Sequence, residues 1–198
     1  MKYKWLPNFL TSCRMFLVPI FIYFLFSNYY HGKMIAFCIF ILASITDAYD
    51  GKIARKHNLV TKFGIFFDPL ADKFLILSAF YAFLFFPILH ETVTPWMIIL
   101  ISFRDILVTI LRTIMQYKGI TMITSKLGKI KTGFQFITIN LILIYLILNS
   151  YKNIAVINIL TIDLLYFFTF TTTIITFYTG LHYFYHNYKT LINLFLKK

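Results

Sequence analysis

Long apolar runs, broken by short basic linkers, set the pattern of this chain. Six runs can be drawn, near residues 15–29, 34–54, 66–89, 95–117, 127–148 and 154–185. Each approaches or exceeds the ~20 residues that an α-helix needs to cross a bilayer. The first is short and draws on the segment before it. That segment, residues 2–14 (KYKWLPNFLTSCR), is basic and amphipathic and carries Trp5 and Pro7. It predicts a short helix lying in the membrane interface. The pattern therefore predicts an all-α integral membrane protein: six transmembrane helices preceded by an interfacial amphipathic helix, in a single domain over residues 1–198. There is no internal repeat.

The linkers orient the helices. Lys52, Arg55, Lys56 and Lys62 fall in one linker, and Lys118, Lys126, Lys129 and Lys131 in another. The N-terminal stretch has Lys2, Lys4 and Arg14, and the C-terminal stretch has Lys189, Lys197 and Lys198. The intervening linkers carry one lysine each, Lys33 and Lys152, or none between Pro87 and Pro95. Positive charge is retained on the cytoplasmic side, so both termini and both basic linkers are expected there, in a multi-pass protein of the cell inner (plasma) membrane.

Composition agrees. The chain is 60% hydrophobic and 13% charged, about half the ~25% charge of a soluble domain. Its net charge of +12 would suggest nucleic acid in a soluble protein. Here the bases sit between apolar runs, so anionic lipid headgroups are the expected partner, and nucleic acid is not. Cys13 and Cys38 both lie in apolar runs and form no disulfide or zinc framework. No cleavable signal peptide is expected at the start.

Against this background one stretch stands out. Of seven acidic residues, four lie between Asp47 and Asp72, in DAYDGKIARKHNLVTKFGIFFDPLAD. Asp47 and Asp50 are three apart and Asp68 and Asp72 four apart, spacings that share a helix face. Carboxylates beside apolar runs are costly and mark function. Oxygen-only clusters suit hard cations such as Mg²⁺ or Mn²⁺, and four carboxylates suffice for a two-metal phosphoryl-transfer site. Gly51 and Gly64 leave room for a ligand to approach the backbone. Arg55 can reach a diphosphate.

The order Asp47-x2-Asp50-Gly51-x2-Ala54-Arg55-x8-Gly64-x3-Asp68-x3-Asp72 resembles the full signature of the CDP-alcohol phosphotransferase family, and the six-span layout is similar as well. The resemblance implies transfer of a phosphatidyl or related group from a CDP-linked donor to an alcohol, with release of CMP. It implies metal ligation by Asp47, Asp50 and Asp68, with Asp72 both a ligand and the general base. Gly51, Ala54, Arg55, Thr61 and Gly64 would face the CDP moiety. A homodimer is implied too.

A second set of residues bears on the acceptor. Only four arginines occur, and Arg104 and Arg112 share the fourth run. Eight residues apart, they lie about 80° round a helix at ~100° per residue, so both can face one cavity. Lys129 and Lys131 stand at the start of the fifth run, where helix N–H groups also favour an anion. Together they suggest a pocket for an acceptor that itself carries phosphate. The simpler alternative is that Arg112 and the lysines snorkel to the headgroups. Arg104 is too deep for that, with Asp105 or Asp163 as its expected partner.

The Pro7-Asn8-x2-Thr11-x2-Arg14 start, the Arg104-Asp105 pair, Arg112 and the Gly128-Lys129-Ile130-Lys131-Thr132 run resemble the family branch that joins CDP-diacylglycerol to glycerol 3-phosphate. Asp105 departs from that branch, where glutamate is expected. A same-family enzyme with an inositol-phosphate or free-alcohol acceptor is the near competitor. A small transporter subunit is the competitor of another class, but a pathway would spread its acids through the membrane depth. His182 and His186 read as an interfacial pair, Trp96 as an interface anchor, and Asp163 as a polar contact remote from the chemistry.

Overall fold

The computed structural model describes residues 6–56, 62–117, 126–151 and 162–196, with side chains over 12–46, 73–116, 128–151, 162–188 and at 192. Among them are six α-helices: α1 Leu6–Phe26, α2 Gly32–Lys56, α3 Lys62–Phe83, α4 Pro95–Tyr117, α5 Lys126–Ser150 and α6 Ile162–Leu196. A 3₁₀ turn, Pro87–Leu89, links α3 to α4. The described residues contain no strand. Among the described residues, each apolar run falls mainly on one helix, and two segments, Gly128–Ser150 and Ile162–Tyr188, are long and apolar enough to cross a membrane.

Boundaries differ from the sequence reading in three places. A helix over 2–14 separate from a span at 15–29 was expected, but α1 runs without a break from Leu6 to Phe26. Arg14 is buried and Pro19 lies inside the helix, so this part of α1 belongs to the bundle. The third helix ends at Phe83 rather than near residue 89. There Pro87 opens a 3₁₀ turn, since its ring cannot continue an α-helical hydrogen-bond ladder. The sixth helix runs past residue 185 to Leu196, and 154–161, where that run was expected to begin, fall outside the described residues.

Packing follows from residue size. α1 packs against α2 and α3, α3 against α4, α5 against α2 and α3, and α6 against α4 and α5. Ala36 and Ala43 on α2, and Ala79 and Ala82 on α3, are buried among Phe21, Phe40, Phe80 and Phe83. Small residues bring helix backbones close, and large rings fill the space beside them. The tight α1–α2 turn requires glycine at 32, because a Cβ there would lie 2.8 Å from the Phe24 carbonyl oxygen. Proline at the first position of α4 wastes no helical donor, and Thr94 O takes the N–H of Met97 at 3.1 Å.

At the end remote from the acidic stretch, the start of α2 is tied to the end of α5. His31 Nδ1 and the Tyr151 hydroxyl are 2.6 Å apart, and Lys33 Nζ donates to Ser150 Oγ at 2.7 Å. α6 instead packs through a polar seam of Thr169, Thr172, Thr173, Thr176 and Thr179, all buried. Thr138 on α5 meets Thr172 at 2.7 Å. Thr169 and Thr173 donate to carbonyls one turn back, Leu165 O and Thr169 O, at 2.8 Å. Such back-bonding keeps a hydroxyl satisfied where water is scarce.

Candidate active site

Asp47, Asp50, Gly51, Ala54 and Arg55 lie on the last turns of α2, and Gly64, Asp68 and Asp72 on the first turns of α3. The two helix ends are joined by residues 57–61, so all four aspartates share one end of the bundle. Both helices pack on α1 and α5. Thr61 and the side chains of the whole 47–72 stretch fall outside the described residues. The donor set is nonetheless all carboxylate oxygen, which fits Mg²⁺ or Mn²⁺ in chemistry.

Side chains are described immediately inward of that end, and there a buried charge network joins α4 to α5. Asp105 on α4 is fully buried (0% exposed) and Lys131 on α5 almost so (1%). Lys131 Nζ donates to Asp105 Oδ1. Gln135, one turn further along α5, donates from Nε2 to the other oxygen, Oδ2, at 3.0 Å. Arg104 Nη1 lies 3.2 Å from Oδ1. Both carboxylate oxygens are thus engaged by donors, the condition under which a buried acid is tolerable. Tyr81 on α3 reaches the Ser102 hydroxyl on α4 at 2.9 Å, and Ser102 donates to Ile98 O at 2.7 Å. These bonds fix the facing of α4 on which Asp105 sits.

Arg104 extends over Gly180 of α6, where an added Cβ would sit 2.8 Å from its Cγ. Arg112 lies within electrostatic reach of Arg104, and its guanidinium is beside the hydroxyl of buried Tyr183. The Nε atoms of Arg104 and Arg112 are buried without a partner among the described residues. Lys73, at the start of the described part of α3, stands within electrostatic reach of both Asp105 and Lys131.

Of the four basic residues expected to gather, Arg104 and Lys131 meet on one carboxylate and Arg112 lies next to them. Lys129 is exposed and has no contact with Asp105. Snorkelling does not describe Lys131, whose ammonium is inside the bundle. Arg104 takes Asp105 as its partner, and Asp163 is exposed at the far start of α6. His182 and His186 stack at 5.3 Å, and no cluster of three or more metal-binding side chains occurs among the described residues.

Gln135, Lys73, Gly180 and Tyr183 were missed from sequence. Lys131 and Gln135 stand four apart, so their shared face was available to spacing, and Lys73 directly follows the last aspartate of the signature. Gly180 and Tyr183 come from a distant part of the chain, and nothing local singles them out.

A helical membrane protein with four aspartates at one end of two adjacent helices and a buried basic network behind them defines a membrane-embedded phosphotransferase. Residues 4–182 match the family model for CDP-alcohol phosphatidyltransferases, and the chain belongs to that family. It is 37% identical over 141 residues to the CDP-diacylglycerol–glycerol-3-phosphate 3-phosphatidyltransferase of Rickettsia felis, covering 71% of this chain and 76% of that protein. With the protein of the same name from Bacillus subtilis it shares 37% identity over 152 residues, 71% of this chain and 77% of the relative. A Mycobacterium tuberculosis protein named "Probable phosphatidylglycerophosphate synthase" is 39% identical over 140 residues, 69% of this chain and 64% of its own.

Proposed function

We propose that this enzyme transfers the phosphatidyl group of CDP-diacylglycerol to glycerol 3-phosphate, giving phosphatidylglycerophosphate and CMP in phospholipid biosynthesis. One observation carries the reading: a chain with the complete family signature on α2 and α3 also gathers Arg104, Arg112 and Lys131 on the helices behind it. The names of the relatives agree. Among the described residues Asp105 is the one carboxylate beside these three cations, so an acceptor that carries phosphate supplies charge that an uncharged alcohol would not.

Asp47, Asp50, Asp68 and Asp72 would hold two divalent cations, Mg²⁺ or Mn²⁺. Bound there, the cations supply Lewis-acid polarisation of the phosphoryl oxygens. Gly51, Ala54, Arg55, Thr61 and Gly64 face the CDP moiety. Asp72 accepts the proton of the acceptor hydroxyl as that oxygen attacks the phosphorus bearing the lipid. The bond from that phosphorus to the CMP oxygen breaks, and Arg55 offsets the charge that develops on CMP. Arg104, Arg112 and Lys131 attract the acceptor's phosphate, with Lys129 at the headgroup layer drawing anions inward.

All six helices span the inner (plasma) membrane in this reading. The first turns of α1 are held at the interface, both termini and the aspartates face the cytoplasm, anionic lipid surrounds the basic linkers, and the enzyme is a homodimer. Purified protein with CDP-diacylglycerol, Mg²⁺ or Mn²⁺ and a panel of alcohols tests the reaction by CMP release. Glycerol 3-phosphate is expected to support release. Release with inositol phosphate alone would overturn the acceptor, and release with none the whole reading. Asp72→Asn is expected to abolish turnover without lowering the melting temperature; an active variant would remove Asp72 from the base role.

A further inference from the structure

Near its C-terminal end α6 carries two imidazoles that lie outside the basic network. His182 is half-buried and His186 exposed. Being four residues apart, they stand one above the other on one face of the helix. Their ring centroids are 5.3 Å apart and their planes 13° from parallel. Tyr178, one turn earlier on the same face, is tilted against His182 at 6.5 Å. His31 spends its Nδ1 on Tyr151, whereas neither His182 nor His186 has a hydrogen bond or ion pair among the described residues. Stacking engages the faces of the two rings. Their nitrogens, which lie in the ring planes, are left available.

The depth of the pair follows from the backbone. His182 comes about 20 residues after Ile162, ~30 Å along α6 at ~1.5 Å per residue, which is the thickness of a bilayer's hydrocarbon core. The membrane-crossing segment is Ile162–Tyr188, so both rings stand at its far end, at the level of the headgroups and within reach of water. Neutral imidazole suits Zn²⁺, Ni²⁺ and Cu²⁺, not the hard cations that carboxylates select. Two histidines at i and i+4 are the helical spacing that can place two nitrogens on one ion. Metal–nitrogen bonds of ~2.0–2.1 Å bring those nitrogens to about 3 Å from each other. Rings already parallel on one face reach that separation by turning about side-chain bonds, with the backbone unchanged.

We propose that His182 and His186 form a surface site for one transition-metal dication of the Zn²⁺, Ni²⁺ and Cu²⁺ class, completed by water and separate in ligand chemistry from the aspartates of α2 and α3. Tyr183, next in sequence to His182, is buried on the opposite side of this turn beside Arg112. An ion bridging residues 182 and 186 is therefore a strut on the outside of a turn whose inside faces the basic network.

Cu²⁺, added to detergent-solubilised protein in excess Mg²⁺, is the probe, read by electron paramagnetic resonance. The wild type is expected to give the splitting of two nitrogen ligands, and His186→Asn and His182→Asn are each expected to lose it. His90→Asn, which alters an exposed histidine in the α3–α4 link, should keep it. A wild-type spectrum with oxygen ligands alone, or a two-nitrogen signal that survives in either α6 variant, overturns the site. Ni²⁺ gives a second reading, again in excess Mg²⁺. At ~100 times its Kd it is expected to raise the melting temperature of the wild type and of His90→Asn by about 5–11 °C, and that of His186→Asn far less. Equal shifts in the wild type and His186→Asn overturn the site as well.

Discussion

Asp105→Asn removes one charge and leaves shape almost unchanged, so its effect isolates what the buried carboxylate does. In the wild type both oxygens are engaged, by Lys131 and Arg104 on one side and by Gln135 on the other. The variant leaves the Lys131 ammonium, 1% exposed, without a counter-charge. Breaking a buried pair by removing one partner costs about 3–5 kcal/mol. Arg104 is only part-buried and can turn toward solvent, so Lys131 carries most of that loss. For a chain of this size each kcal/mol moves the melting temperature by about 2–4 °C, giving an expected fall of about 6–20 °C. The double variant Asp105→Asn/Lys131→Met removes both charges, and apolar replacement of a whole pair is often neutral; its melting temperature should return to within a few degrees of the wild type. Thermal unfolding of purified protein in one detergent, across the wild type, both single variants and the double, gives the coupling directly. If Asp105→Asn melted within about 2 °C of the wild type, or if the two losses simply added, the buried pair would not be what anchors α4 to α5.

Gly180→Ala puts a methyl group 2.8 Å from Arg104 Cγ, so Arg104 must swing away from α6. The expected result is a rise of about tenfold in the acceptor KM with little change in that of the lipid donor, and equal KM values for variant and wild type would show that Arg104 does not contact the acceptor. Chelation with EDTA is expected to stop CMP release and added Mg²⁺ or Mn²⁺ to restore it; release that persists after exhaustive chelation would refute the metal role of the four aspartates.

The helices were legible because hydrophobic run length is a direct consequence of what each segment must bury, and the runs around 34–54 and 95–117 fall on α2 and α4 with little adjustment. Their ends were less so. Composition does not distinguish an interfacial turn from the first turn of a bundle helix, and Arg14, a charged residue that suggested the interface, is buried. The signature was legible because it is local, confined to one helix–linker–helix. The charge network was legible only in part. Spacing along α4 and α5 brought out Arg104, Arg112 and Lys131, but it could not show that Asp105 points inward to meet Lys131 and Gln135. That is a matter of helix rotation, set by contacts such as Tyr81 with Ser102. Gly180 carries no chemistry of its own, and its role exists only once α6 is laid against α4.

This separation has a chemical consequence. On the proposed reading, the aspartates of α2 and α3 act on the transferred phosphoryl group. On the same reading the residues that meet an acceptor come from α4, α5 and α6, where the described contacts include the Asp105 network, the Thr138–Thr172 bond and the Gly180 slot. A change of acceptor can therefore be made by altering the rear helices while the reacting end stays intact. Lys73 is the exception, since it belongs to α3 and directly follows Asp72 yet reaches Asp105 and Lys131. Because one turn of helix carries both, any shift of α3 that moved Asp72 would move this cation with it.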